Sequence, residues 1–218
     1  MPDRAVPPGH DGASHNGQWD MSLLRLVPGL RMAAPRDEDS LRAALQAAVE
    51  VDDAPTVVRY PKGPLPPALP ALDSTDGVDV LGRHDGPGRS VLVVGVGPMA
   101  HTAVHVADLL AAEGLGVTAV DPGWVLPVPE ALVKAVGEHS AAVVLEDGVV
   151  DGGVGAMLAQ QCVRAGVPTP VLPFGVPAQF LPHATRAQLV EALRLRAEDV
   201  AHDVLGRLAT PAVDDPSI

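Results

Sequence analysis

The chain has 218 residues, of which 47% are hydrophobic but only 2% aromatic, and its formal net charge is −12. That length suits one full domain with an addition, or two small domains, and is enough to bury a sizeable core. The acidic balance argues against a nucleic-acid partner, and the single Cys162 excludes an internal disulfide and fits a reducing compartment.

With so few aromatics, the core must be Val, Leu and Ala, as in α/β proteins with buried parallel strands. No signal-peptide pattern opens the chain, and no apolar run approaches the roughly 18 residues of a membrane helix. A soluble, cytoplasmic protein with no membrane partner is expected.

Residues 3–20 read DRAVPPGHDGASHNGQWD. Arg4 is a planar donor suited to phosphate or carboxylate. Asp11 and His15 stand four apart in this loop and can pair by a hydrogen bond. An imidazole there can polarise a carbonyl or move a proton. Gly9, Gly12 and Gly17 let backbone approach a ligand. By composition alone, a substrate loop and an unstructured tail are equally open readings.

MSLLRLVPG predicts a short helix with Asp20 as N-cap, stopped by Pro28 and Gly29. LRMAAP predicts a short buried strand. RDEDSLRAALQAAVEV predicts an amphipathic helix capped by Asp37, with Leu41, Leu45, Ala48 and Val49 at helical spacing. APTVVRYPKG predicts a β-branched strand ending at Pro61. Residues 61–70 hold five prolines, so 61–77 is expected as an extended, semi-rigid linker.

From 78 to 208 strands and helices alternate. SVLVVGV, GVTAVDP, AAVVLED and TPVLPFGVP predict strands. Residues 99–113, PEALVKAVGEH, residues 152–165, RAQLVEALR and AEDVAHDVLGRL predict helices. The alternation predicts a mostly parallel sheet covered on both faces, with right-handed crossovers. Residues 209–218 are expected as a frayed tail.

In VGVGPMAHTA, Gly95-x-Gly97-x-x-Ala100 fits the dinucleotide fingerprint, and Asp121 ends the next strand 26 residues beyond Gly95. A tight strand-to-helix turn needs the same small residues whether or not it binds anything. His101 and His105 have a metal-compatible spacing, but no Glu follows His101 and no third ligand is evident, so ordinary surface histidines are expected. In LEDGVVDGGVG, Gly152, Gly153 and Gly155 permit a close turn. Glu146 and Asp147 at that strand end can serve a domain or subunit contact, although polar punctuation of the turn explains them by itself.

The opening run, followed by MSLLRLVPGLRMAAPRDEDSLRAAL and DDAPTVVRYPKG, resembles the later part of the 1-deoxy-D-xylulose-5-phosphate synthases. These are thiamine-diphosphate-dependent enzymes of the transketolase-like group. Their pattern is close to D-R-A-G-x-x-G-x-D-G-x-S/T-H-x-G-x-x-D, then P-x-D, then V/I-R-Y/F-P-R/K-G. VLVVGVGPMAHTA, VTAVDPGWVLPVPE and VVLEDGVVDGGVG resemble the transketolase C-terminal domain. The likeness covers residues 3 to about 208.

The resemblance implies an α/β fold in which residues 78–208 form a transketolase C-terminal domain, a mostly parallel sheet with helices on both faces. A partial pyrimidine-binding α/β domain over 1–63 and a proline-rich linker over 64–77 would precede it, and 209–218 would be a tail. It also implies that Arg4, Asp11, His15 and Lys62 bind a phosphorylated aldehyde, with Asp11 and His15 beside the reactive carbon of the cofactor and His15 as the catalytic residue. The family reaction joins pyruvate and glyceraldehyde 3-phosphate with release of CO2, on the way to isoprenoids and thiamine.

The chain also departs from the family pattern. Val6 and Pro7-Pro8 replace the glycine of D-R-A-G, and Lys62 gives up the bidentate fork of an arginine. There is no G-D-G to hold Mg²⁺ and diphosphate, and Asn16 is the only asparagine. The first half of the pyrimidine-binding domain, with its activating glutamate, is missing too. A C-terminal portion that binds no thiamine diphosphate and is inactive alone is therefore expected. It would be a gene fragment, a split-enzyme subunit paired with a chain carrying the cofactor domain, or a non-catalytic domain; a homodimer is also open. A Rossmann-like nucleotide-binding protein built on Gly95 to Ala100 is the alternative of another class. Residues 78–208 should fold alone, whereas 1–63 should be marginal and expose strand edges.

Overall fold

A computed structural model describes residues 17–61 and 63–209. Helix α1 spans Asp20–Leu24, strand β1 Arg31–Ala33, helix α2 Glu38–Glu50 and strand β2 Thr56–Val58. Strands β3 (Asp73–Thr75) and β4 (Val78–His84) follow. Next come β5 (Ser90–Gly95), α3 (Ala100–Ala112), β6 (Gly116–Asp121), β7 (Trp124–Leu126) and α4 (Glu130–Gly137). The chain continues through β8 (Ala141–Val149), α5 (Val154–Arg164), β9 (Val171–Val176), α6 (Arg186–Ala192) and α7 (Ala197–Ala209).

The main sheet has six strands in the order β3-β4-β6-β5-β8-β9. Strands β6, β5, β8 and β9 run parallel, and the β3–β4 hairpin adds an antiparallel margin. Side chains on a strand alternate between faces. Val91 and Val93 of β5 accordingly meet α3 and α7, while Leu92 and Val94 meet α4 and α5. This is the expected α/β sheet with helices on both faces. Among the described residues no helix is long and apolar enough to cross a membrane.

A second sheet, β2-β1-β7, joins the N-terminal segment to residues 124–126. β1 runs parallel to β2 and antiparallel to β7. The expected open edge on β1 is therefore taken up by β7, a strand that the sequence reading did not anticipate. Met21, Leu30, Met32 and Ala34 enter the same core as Leu92, Val94 and Val144. A fully buried methionine contributes about 1.5–3 kcal/mol, so residues 17–61 are stabilised by the larger sheet they rest on.

Asp37 caps α2 as predicted. Its Oδ1 accepts the Ser40 N–H at 2.9 Å, and its Oδ2 accepts the Leu69 N–H at 2.9 Å. Burial pushes its carboxyl up, but these bonds and the Ser40 hydroxyl hold it below the usual range. Asp37→Ala is expected to lower the urea midpoint at unchanged m-value, by about 1–2 kcal/mol of stability.

Three local expectations fail for physical reasons. Trp19, not Asp20, takes the N-cap position of α1, and Asp20 begins the helix, where its charge still favours the dipole. On α2 it is Ala44 that is buried, while Leu45 is 46% and Val49 86% exposed, because Leu41, Ala44 and Ala48 form the face that packs on Ala33 and Val58. The stretch 61–77 is not extended throughout, since Asp76 and Gly77 both have positive φ and turn β3 into β4.

Candidate functional site

Open α/β sheets bind ligands outside the carboxyl ends of their strands, where the strand order reverses. Here those ends deliver Gly95 to Gly97 from β5, Asp121 from β6, and Glu146 to Gly148 from β8. Side chains and backbone from residues 18–59 fill the crevice.

A Cβ on Gly95 would lie 2.5 Å from the Ala100 Cα, so Gly95 and Ala100 serve close packing of strand on helix. Gly97 has φ +56°, and a Cβ there would meet Ala34 at 3.4 Å. Ala34 and Pro35 thus stand where a dinucleotide phosphate would approach this turn. The small residues that suggested a nucleotide site are accounted for by packing.

Asp121 is fully buried and receives Arg36 Nη1 at 2.8 Å; the same nitrogen donates to Asp79 at 2.7 Å. Arg36 Nε donates to the Leu69 carbonyl at 2.9 Å. Burial pushes the Asp121 carboxyl up to about 6 against the opposing pull of Arg36 and the Gly123 N–H. This cluster ties the start of α2 to β4 and β6.

Glu146 is fully buried, and its two oxygens accept the N–H groups of Val154 at 2.7 Å and Gly155 at 3.0 Å. It fills the anion site at the N-terminus of α5 with a group of the chain itself. A Cβ on Gly153 would overlap this carboxylate, which explains the glycine. Burial pushes Glu146 up to about 7, opposed by those N–H groups and by the charge of Arg59. The Asp147 carbonyl accepts Arg59 Nη2 at 2.6 Å, and its carboxylate accepts Arg186 Nη1 at 2.5 Å. Glu146 and Asp147 therefore serve a contact between chain segments as well as a turn.

Further contacts seal the crevice. The Gln18 carbonyl accepts the Val149 N–H at 2.7 Å, Gln18 Nε2 donates to the Gln179 carbonyl at 2.7 Å, and Arg25 reaches the Gly152 carbonyl at 3.3 Å. His101 Nε2 lies 3.0 Å from the Pro67 carbonyl, and His105 is exposed. Among the described residues no group of three or more His, Cys, Asp or Glu could hold a metal ion. Arg4, Asp11, His15 and Lys62 lie outside the described residues. Arg36 and Arg59 were missed by the sequence reading, because no periodicity reports a partner 85 or 88 residues away.

The family model described as the C-terminal domain of transketolase matches residues 82–200, and that for the transketolase pyrimidine-binding domain matches residues 5–67. The chain belongs to the transketolase family. Within that family, it is 51% identical over 208 residues to 1-deoxy-D-xylulose-5-phosphate synthase 2 of Streptomyces coelicolor, covering 95% of this chain and 32% of that protein. It is 52% identical to synthase 1 of Kitasatospora griseola, covering 91% of this chain and 30% of that one. This transketolase-family chain spans about a third of the length of the curated relatives it matches, at their C-terminal end. A split-gene transketolase solved as an inactive beta4 tetramer superposes with a TM-score of 0.72 at 27% identity, over 89% of this chain and 62% of that one. Transketolase from Campylobacter jejuni gives 0.72 at 16% identity over 94% of this chain and 30% of that one, a likeness of fold alone.

Proposed function

We propose that the chain is the C-terminal portion of a cytoplasmic 1-deoxy-D-xylulose-5-phosphate synthase, which condenses pyruvate with glyceraldehyde 3-phosphate and releases CO2. The observation that carries this reading is about 51% identity to such a synthase over 95% of the chain. On this reading residues 1–63 belong to the pyrimidine-binding domain, 64–77 link, 78–208 form the C-terminal domain and 209–218 are a tail.

Arg4 and Lys62 supply positive charge to the phosphate of the aldehyde substrate, and Asp11, with His15, contacts the substrate at the cofactor's reactive carbon. His15 is the catalytic side chain, polarising the aldehyde carbonyl or moving its proton. Thiamine diphosphate, when bound, supplies the carbanion chemistry. This sequence does not carry the family's G-D-G pattern for the Mg²⁺–diphosphate end of that cofactor. On this reading those Mg²⁺ ligands belong to the portion of the synthase that the matched 32% does not cover. A division between two chains, as in the split-gene transketolase, is the alternative reading.

Substrate-loop variants in a synthase complemented with the cofactor domain test the assignment. Arg4→Met and Lys62→Met should raise KM for glyceraldehyde 3-phosphate by about tenfold with KM for pyruvate unchanged. His15→Asn should lower kcat by about 100-fold. Unaltered kinetics in all three would refute the assigned roles.

A further inference from the structure

Strand β4 carries a β-bulge. Val80 pairs with Val120 and Gly82 with Ala119, so β4 has one extra residue between them. Strict alternation from Val78 and Val80 would put Gly82 and His84 on the face of α4, and Arg83 on the face of α3. The bulge reverses this, since an inserted residue re-aims the side chains that follow it. His84 meets Asp108 of α3 at 2.9 Å, and Arg83 stands opposite Thr118 on the other face. Arg83 therefore enters a groove between α4 and the β3–β4 hairpin.

That groove has a volume of about 420 Å³, within the roughly 300–1,000 Å³ of small-molecule clefts. Val78, Val80 and Val120 give it an apolar floor, and Ala131 and Ala135 of α4 form a wall. Arg83, Thr118 and His139 gather at one end, and Asp76 in the hairpin turn is at the other. The His139 ring is held by its neighbours. A carbonyl only accepts, so Nδ1 donates to Ala135 at 2.7 Å, and in the neutral ring Nε2 accepts the Thr118 hydroxyl at 3.1 Å. Both ring nitrogens and the hydroxyl proton are thus committed within the chain. The Arg83 guanidinium is not: among the described residues it has no ion pair and no hydrogen bond.

An uncommitted guanidinium at the end of an apolar floor suits an aliphatic chain that ends in a planar carboxylate. Asp76 and Glu138 also line the groove, so a single negative charge is accommodated better than the double charge of a phosphate ester. We propose that this groove binds a short aliphatic carboxylate, with the head group on Arg83 and the chain along Val78, Val80 and Val120. Its charged end lies toward the amino end of β6, away from the crevice at the strand carboxyl ends. The site does not rest on the synthase reading.

Hexanoate is the probe, with hexanol and hexyl phosphate as comparisons, each titrated into the 218-residue chain and followed by methyl NMR. Hexanoate should give saturable shifts of the Val78, Val80, Val120, Ala131 and Ala135 methyls, with a Kd of about 1 mM. Hexanol and hexyl phosphate should each bind about fivefold more weakly. Arg83 is exposed and its guanidinium holds no other described contact, so Arg83→Gln keeps the fold. It should weaken hexanoate about fivefold and leave hexanol unchanged. Ala131→Leu fills the groove and should abolish the shifts from both; if that variant does not fold, Arg83→Gln and the hexanol comparison decide without it. Scattered or unsaturable shifts, equal affinity for hexanoate and hexanol, or hexanoate binding unchanged in Arg83→Gln overturns the proposal. Tighter binding of hexyl phosphate than of hexanoate overturns it as well.

Discussion

Replacing Arg36 by methionine should cost about 3–5 kcal/mol of unfolding free energy, the loss expected when one partner of a buried ion pair is removed. Methionine keeps most of the aliphatic volume, so the change is mainly one of charge. The Arg36 side chain is 8% exposed and its partner Asp121 is fully buried, so no water replaces the lost donor. Asp79, with 29% exposure, can recover solvent, and its share of the loss is small. The Leu69 carbonyl also loses its donor, which loosens the proline-rich stretch from α2. For a domain whose total stability is about 5–15 kcal/mol, such a loss removes a large fraction. Urea unfolding followed by tryptophan fluorescence measures it. The double variant Arg36→Met with Asp121→Asn should recover part of the loss, since the unpaired buried charge is then gone. A change below about 1 kcal/mol would mean that the cluster is solvated in solution.

The second large effect is a fall in stability as pH rises. Glu146 is pushed from 4.5 up to about 7 in the folded chain. Between those values the folded state binds a proton that the unfolded state has released, so the stabilisation is complete below about 4.5 and is lost as pH rises through about 7. At 1.36 kcal/mol per unit, Glu146 alone accounts for about 3 kcal/mol of difference between pH 5 and pH 8. Asp121, pushed from 3.8 to about 6, acts with the same sign in a lower window. Asp37, held below its usual value, acts oppositely, but only under more acidic conditions. Urea midpoints at pH 5, 6, 7 and 8 report the slope. Glu146→Gln should flatten most of it, although its amide can accept only one of the two α5 N–H groups and so lowers stability overall. A wild-type slope that survives in Glu146→Gln would show that the burial of Glu146 is not its source.

The main sheet was legible because β5, β6, β8 and β9 are short apolar runs separated by periodic helices, and that pattern has one good solution. Asp37 was legible as a cap because its partners Ser40 and the N-terminal turn are local in sequence. The β3–β4 hairpin carried its own signal in Asp76-Gly77, which the prolines upstream masked. β7 carried none: three residues before a proline become a strand only because β1 lies alongside. The crevice was legible by halves. Glu146 and Asp147 stand at a strand end where polar residues attract notice, but their partner Arg59 comes from 88 residues earlier in the chain. Likewise Asp121 matches a ribose-binding position by spacing, and the structure gives it Arg36. A one-dimensional pattern names a charged residue; only the fold supplies its counter-charge.

The central proposal is that these residues are the C-terminal portion of a 1-deoxy-D-xylulose-5-phosphate synthase and work with its cofactor-binding portion. The most direct measurement is formation of 1-deoxy-D-xylulose 5-phosphate from pyruvate and glyceraldehyde 3-phosphate, with thiamine diphosphate and Mg²⁺. It is made for this chain alone, for the remaining N-terminal portion of the Streptomyces coelicolor synthase alone, and for the two co-expressed. Product from the co-expressed pair and from neither part alone is the expected result. Product from this chain alone, or none from a pair that co-purifies, would contradict the claim.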